Sequence, residues 1–277
     1  MANNGGEKIM KAHHIYLITF LLAVGTKAGF CQTAPQEKNI PLLPAGPAWG
    51  ALWQQRAGEY RALTYQAYNL AKIRLDEFIA KKRQKPKAII TDIDETVLDN
   101  SPYFVRQASK GNTYSDSTWI SWTAEIRCDT VPGAYNFLKY AQSRGVTVFY
   151  ITNRFQVEQT PTIKNLQKFN LPNADSSHLL LLNGQNSSKE SRRLQITKNY
   201  DVVLFIGDNL GDFSKLFDGL TYNQRSEKAS VSANNFGNHF IVLPNAMYGT
   251  WEDKLYPKNA ASEKDKNAAL NTLLRYE

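Results

Sequence analysis

The segment Ala88-Ile-Ile-Thr-Asp-Ile-Asp-Glu-Thr-Val-Leu-Asp99 constrains this chain more than any other stretch. A short apolar run drives into two aspartates at i and i+2, with a threonine two places further on. In a strand, alternate side chains share a face, so a strand that persists to the end of this run would point Asp92 and Asp94 the same way and turn Ile93 into the core. Two carboxylates this close repel each other unless a cation sits between them or one holds a proton. A divalent ion would resolve the conflict, and oxygen-only ligands suit Mg²⁺. Taken alone, Asp-x-Asp is equally a strand followed by a solvated acidic turn. Its meaning depends on what lies downstream.

From Lys87 onward apolar runs alternate with helical patterns. Strands are expected at Ala88–Ile93, Val146–Ile151, His178–Leu182, Val202–Ile206 and Phe240–Leu243, and their near-continuous apolar character predicts burial on both faces, as in a parallel sheet. Helices are expected between them at Gly133–Ser143, Val157–Phe169 and Lys189–Lys198, and a terminal helix from Ser262, its N-cap. This is a Rossmann-like, doubly wound α/β layout, which places ligands at the carboxyl ends of its strands. One long helix is predicted over 49–82, with Leu52, Leu63, Ala67, Leu70, Ala71, Leu75 and Phe78 on its apolar face. Residues 97–130 break the alternation with Tyr103, Phe104, Tyr114, Trp119 and Trp122 among polar residues, and an insertion there would hang over the first strand's end. A small, mostly helical cap is therefore expected from about 49–83 and 97–130, within a domain spanning 49–277.

Residues 1–31 read as an export signal. Lys8 and Lys11 precede the apolar run 15–25, which is too short for a membrane span, and small residues and Cys31 follow. Bacterial lipoprotein signals want a small residue directly before the cysteine, and Phe30 stands there, so simple cleavage near Cys31–Gln32 is favoured and a lipid anchor is the alternative. Cleavage would leave Cys128 as the one cysteine, an unpaired thiol expected to be buried. Residues 32–48 read as a mobile lead-in. The full chain carries a formal charge of +8; without the leader 30 basic and 24 acidic residues give +6, a mild excess that suits an anionic small-molecule substrate. No nucleic-acid motif and no basic helix face is present, so nucleic acid is not an expected partner.

Four strand ends carry polar groups that together suit phosphate chemistry: Asp92-Ile-Asp-Glu-Thr96; Phe149-Tyr-Ile-Thr-Asn-Arg154; Lys189-Glu-Ser-Arg192 at a helix start; and Phe205-Ile-Gly-Asp-Asn-Leu-Gly-Asp212. Phosphoryl transfer needs an in-line nucleophile, a proton donor for the leaving oxygen, cations around the non-bridging oxygens, and a metal. Asp92 can attack phosphorus, Asp94 can protonate the leaving alkoxide, Thr152 and Lys189 can bind the phosphoryl group, and Asp208 with Asp92 can hold the metal. Asp212 can bind or orient a metal-bound water, or simply cap a helix. Thr96 can act through its backbone and by capping the turn. Asn153 and Arg154 can touch phosphate or fix the loop; Arg192 reads as a salt-bridging residue, and His178 and His239 as structural.

In this order the motifs resemble those of the haloacid dehalogenase-like superfamily. More narrowly, Ile90-Thr-Asp-Ile-Asp-Glu-Thr-Val-Leu-Asp-Asn-Ser-Pro-Tyr103 and Ile206-Gly-Asp-Asn-Leu-Gly-Asp-Phe213 resemble the two signatures of the class C acid phosphatases, and the likeness extends through Phe149–Arg154 and Leu243-Pro-Asn-Ala-Met-Tyr-Gly-Thr-Trp251. The resemblance implies an aspartyl-phosphate mechanism with Asp92 as nucleophile and Asp94 as general acid/base. It also implies Mg²⁺ held by Asp92, Asp208 and the main-chain oxygen of Asp94, and activity on phosphomonoesters including nucleoside 5′-monophosphates. Export to the periplasm, outer membrane or cell surface of a bacterium follows from it too, sometimes as a lipoprotein. Trp119 and Tyr248 stand where that family's base-clamping aromatics would fall. Two alternatives remain beside this reading: a narrow-specificity sugar or lipid phosphate phosphatase, and a non-catalytic surface protein that captures a ligand. A homo-oligomer stays open.

Overall fold

The computed structural model describes residues 42–275 apart from 44, 83 and 258. The expected leader, the question of Cys31 and residues 32–41 of the expected lead-in lie outside the described residues; its last four residues, 45–48, are not a mobile lead-in but open a helix. Strand β1 (Lys87–Thr91) is the centre of a five-stranded parallel sheet, flanked by β4 (Thr147–Ile151) and β6 (Asp201–Gly207), with β5 (Leu179–Leu180) and β7 (Phe240–Val242) at the edges. The chain thus runs outward from β1 to β4 and β5, returns across β1 to β6, and ends at β7. The reversal makes the carboxyl end of β1 a topological switch point, where doubly wound sheets bind ligands.

The apolar runs are continuous because helices cover both faces of the sheet. Ile89 joins one core with Val148, Leu204 and Ile241, while Ala88 and Ile90 join a second with Phe149, Ile151 and Ile196. Ala88, Ile89 and Ile90 are all nearly inaccessible, and each buried isoleucine contributes about 1.5–3 kcal/mol. The first core is closed by α2 (Gly58–Ile79), α5 (Ala134–Ser143) and Leu166 of α6 (Gln159–Lys168); the second takes Ile196 from α7 (Glu190–Thr197). Ser262 accepts from Asp265 N at 3.1 Å and caps α10 (Glu263–Leu273) as expected.

Three expectations change. The predicted single helix is two, α1 (Ala45–Arg56) and α2, broken where Ala57 adopts an extended ψ of 129°. Its buried stripe is Tyr60, Thr64, Tyr68, Ala71, Leu75 and Phe78, whereas Leu52 and Leu63 are exposed. The tyrosines win these positions because they reach further, and the Tyr68 hydroxyl finds a buried acceptor, Thr96 O, at 2.6 Å. Finally, β1 stops at Thr91, so Asp92 and Asp94 lie beyond it in a tight turn. The amides of Val97 and Leu98 both donate to Ile93 O at 2.8 Å, and Glu95 takes a left-handed φ of 57°. Ile93 is fully buried, as the alternation predicts.

The insertion over the end of β1 forms a helical cap. Strand β2 (Leu98–Asp99) pairs antiparallel with β3 (Asp129–Thr130), and between them lie α3 (Ser101–Ala108), which packs against α1, and α4 (Asp116–Ala124), which Ser115 caps. The Gln54 amide donates to Asp99 Oδ1 at 2.7 Å, tying α1 to the root of the insertion.

Candidate active site

All four predicted strand ends converge at the switch point. Asp92 is anchored by its amide on Ile206 O at 2.8 Å, a bond that fastens the end of β1 to β6. Lys189, at the start of α7, binds the Asp92 carboxylate through Nζ and reaches Asp212 Oδ1 at 2.6 Å. Thr96 Oγ1 lies 3.4 Å from Asp92 Oδ2 and 3.5 Å from Asp208 Oδ1, so its side chain stands among the carboxylates rather than acting through its backbone alone. The second oxygen of Asp212 accepts from Asn209 N at 2.9 Å; this residue therefore caps its turn and faces Lys189 at once. That approach requires Gly207, since a Cβ there would lie 2.5 Å from Asp212 Cβ.

Asp92, Asp208 and Asp212 each offer an oxygen within 4.8 Å of the others. The donor set is oxygen only, which suits a hard divalent cation. Three carboxylates share a single lysine, and Asp208 has a neutral partner, the Asn245 amide at 2.7 Å. Burial drives the Asp92 carboxyl above its ordinary value; Lys189 opposes this, and Asp212 and Asp94 push further upward. Asp208 is raised by burial and then by Asp212 and Asp92. Burial works against the Lys189 charge, yet Asp212 and Asp92 outweigh it and hold its pKa above the usual lysine range. The cluster thus has an unmet demand for positive charge, and a divalent ion fits it.

Asp94 points to the other side of the turn. Arg154 Nη2 donates to its Oδ1 at 2.7 Å and Nε reaches both oxygens at 3.1 and 3.2 Å, while Asn100 Nδ2 and Thr152 Oγ1 donate at 2.9 and 3.2 Å. Arg154 is buried against Thr162 Oγ1 and fixes Asp94. The Asn153 side chain is exposed, and its Oδ1 accepts from Arg192 Nη2 at 2.7 Å. Arg192 was expected to form a salt bridge. It instead donates to Thr152 O at 2.6 Å and to loop carbonyls, and burial lowers its pKa to about 10.

The aromatics of the cap meet Tyr248. Trp119 is buried edge-on against Tyr103, with ring centroids 5.0 Å apart. Trp119 and Tyr248 lie 6.3 Å apart at 60°, and Phe104 stacks on Tyr248 at 4.8 Å. The structure brings the two expected clamp residues into contact, as an edge pair and not as parallel plates.

The profile of the HAD superfamily, subfamily IIIB (Acid phosphatase), matches residues 30–251. Two solved structures of the class C acid phosphatase from Bacillus anthracis, one a crystal structure with tungstate bound, are 40% identical to this chain with a TM-score of 0.80; each match covers 83% of this chain and 97% of the other. The chain belongs to the class C acid phosphatases. These enzymes are phosphoric monoester hydrolases, so the alternative of a non-catalytic ligand-capturing protein falls away.

Several groups of this class C acid phosphatase site were not singled out from sequence. Asn245 holds Asp208 from the loop after β7; the strand-end rule that found the other four loops would have found it too. Glu95, fully buried, accepts from Asn100 N at 2.7 Å and from the Tyr248 hydroxyl, linking the Asp92–Asp94 turn to the ring against which the cap aromatics pack. Asn100 carries no sequence signal beyond its place in the first signature. His178 pairs with Asp175 at 2.9 Å, and His239 stacks on Phe78 with Nδ1 3.1 Å from Val203 O; both are structural.

Proposed function

We propose that this acid phosphatase hydrolyses phosphomonoesters through a phosphoryl group carried on Asp92, with Mg²⁺ as cofactor, and that nucleoside 5′-monophosphates are among its substrates. The convergence of Asp92, Asp208 and Asp212 beside Lys189 carries the reading. In the first half-reaction an Asp92 oxygen attacks phosphorus, the ester P–O bond breaks, and Asp94 delivers its proton to the departing alkoxide. In the second, water attacks phosphorus, Asp94 takes its proton, and inorganic phosphate leaves with Asp92 restored. Lys189 and Thr152 hold the non-bridging oxygens. With its side chain engaged by Arg192, Asn153 offers its backbone N–H. Arg154 keeps Asp94 oriented between turnovers. Asp92, Asp208 and the main-chain oxygen of Asp94 would hold Mg²⁺, with Asp212 acting through water, and the ion would supply charge neutralisation for the carboxylates and the phosphoryl oxygens. Binding of tungstate, a tetrahedral oxyanion, by the Bacillus anthracis relative supports a site shaped for phosphate.

In this reading residues 1–31 serve as an export signal and the stretch from 32 up to α1 at Ala45 as a lead-in to the catalytic domain, and the enzyme works in the periplasm or at the outer membrane or cell surface, with lipidation at Cys31 the alternative to cleavage. No helix among the described residues is long and apolar enough to cross a membrane. The edge contact between Trp119 and Tyr248 favours a second reading, in which these rings pack the cap and the substrate is a sugar or lipid phosphate. Selective loss of nucleotide turnover in Trp119→Ala separates the two. For the chemistry itself the test is Asp92→Asn. Turnover of an aryl phosphate should fall by about 10⁴-fold or more, with the melting temperature preserved; near-wild-type turnover would sink the proposal.

A further inference from the structure

The residue that caps the start of helix α7, Lys189, binds Asp92, and two more cations, Arg192 and Arg193, stand in the helix's first turn. Lys189 belongs to the site already described. The two arginines are neighbours in sequence, about 100° apart around the helix, and so face different loops. Arg192 donates to Thr152 O at 2.6 Å and to Asn153 Oδ1 at 2.7 Å. Arg193 donates through Nη1 to Gly211 O at 2.7 Å and Asp212 O at 3.0 Å, and is steadied by Glu190 Oε2, which accepts from Nη2 at 2.7 Å and from Nε at 3.1 Å. Both side chains are buried.

We infer that Arg192 and Arg193 are positioning residues with separate tasks: Arg192 sets the phosphoryl-binding loop at 152–153, and Arg193 sets the carboxylate loop at 207–212. A peptide group is planar and trans, so its C=O and N–H point opposite ways. By drawing the Thr152 carbonyl toward α7, Arg192 turns the Asn153 N–H away from the helix. By holding both carbonyls of the Gly211–Asp212 turn, Arg193 fixes the backbone from which the Asp212 carboxylate reaches Lys189. A buried guanidinium is costly unless its donors are used. Arg192 spans Thr152 O with Nη1 and Asn153 Oδ1 with Nη2, while Arg193 gives both loop carbonyls its Nη1 and turns Nη2 and Nε to the Glu190 carboxylate, so the planar fork bridges two groups at each place. Lysine keeps the charge but has a single nitrogen, and cannot bridge Thr152 O to Asn153 Oδ1 or the Gly211–Asp212 turn to Glu190.

The inference rests on the reading that Asp92, Asp208 and Asp212 hold Mg²⁺ and that the 152–153 loop meets phosphate. The test compares Arg192→Lys and Arg193→Lys in the full-length enzyme, measuring Mg²⁺ binding by calorimetry and the inhibition constant of inorganic phosphate at saturating Mg²⁺. Arg193→Lys should weaken Mg²⁺ binding by about tenfold or more and leave phosphate inhibition unchanged; Arg192→Lys should weaken phosphate inhibition by about tenfold and leave Mg²⁺ binding unchanged. Equal shifts in both constants, or no shift in either, overturn the division of tasks. If Arg193→Lys does not fold, Glu190→Gln replaces it: weaker Mg²⁺ binding supports the assignment and unchanged binding overturns it. Asp92→Asn run beside them separates the levels of failure. An active Asp92→Asn removes the underlying reading, while an inactive one with undivided arginine effects removes this inference alone.

Discussion

In the loops at the strand ends, Asp92, Arg154, Lys189 and Asp212 are buried charges, and with the half-buried Asp94 they are tied to partners as far as 97 positions away in sequence. In the cap directly above, Tyr103, Phe104 and Trp119 pack with one another and against Tyr248 from the loop after β7, ring centroids 4.8–6.4 Å apart. The lower region is directional, each group held by named donors and acceptors, and its like charges work against the fold. The upper region is held by apolar burial, which tolerates small shifts and rewards shape. Their junction is Asn100, wholly buried: Nδ2 donates to Asp94 at 2.9 Å, Oδ1 accepts from Trp122 Nε1 at 2.9 Å and from Cys128 Sγ at 3.0 Å, and its amide donates to Glu95 at 2.7 Å. One region trades stability for chemistry, and the other supplies stability to it.

The largest expected effect breaks this contrast from below. Asp208→Asn keeps the size of the side chain but removes one of three crowded carboxylates. Turnover should fall by about 10³-fold, some 4 kcal/mol of transition-state stabilisation. The metal-free protein should meanwhile melt higher, gaining about 1 kcal/mol or more from relief of repulsion. Kinetics and thermal unfolding in chelator measure the two halves, and a lower melting temperature would contradict the picture of a destabilising carboxylate cluster. In the cap, Trp119→Ala should do the reverse. It deletes a buried indole at a cost of about 3–5 kcal/mol in stability, and below its melting temperature turnover of an aryl phosphate should survive. If nucleotide turnover drops far more than aryl phosphate turnover, the indole also grips a base.

How much of this was readable from sequence follows the same division. The central strands were legible because a continuous apolar run leaves few alternatives, and the strand-end polar groups because a doubly wound sheet must bring them together. Arg192 was misjudged because a sequence shows charge and not which neutral carbonyls surround it. Asp212 resisted a single role because its two oxygens do two jobs. The single 49–82 helix missed the break at Ala57, where Gly58 was the one breaker signal and an isolated glycine is tolerated within a helical pattern, and missed the core face because tyrosines and leucines compete for the same stripe. Trp119 could be placed in the cap and Tyr248 named as its counterpart, but neither could be oriented, since aromatic packing and aromatic recognition use the same residues.

A smaller effect sits at the junction. Asn100→Ala leaves the Trp122 indole N–H without an acceptor and removes a donor from Asp94, which should cost about 2–3 kcal/mol in stability. Because Arg154 still holds Asp94, the fall in kcat should stay well below that of Asp208→Asn. A loss of activity as deep as Asp208→Asn would mean that Asn100, and not Arg154, orients the acid.

The smallest effect is a predicted silence. Cys128 lies beneath Asn100, and burial pushes its thiol up to about 12, against roughly 8.5 for a free cysteine. Raised in the folded state, this group favours folding below the unfolded value, and the advantage is lost as pH rises from about 8.5 toward 12. At pH 8 the folded protein therefore holds a protonated, sealed thiol, and alkylation by iodoacetamide should proceed only through opening of the structure. Its rate should rise with urea in step with unfolding, and steeply in Asn100→Ala, which loosens the lid over the sulfur. Rapid labelling of the native enzyme at pH 8 would show that the junction opens on its own, and that cap and catalytic floor move apart without a substrate to part them.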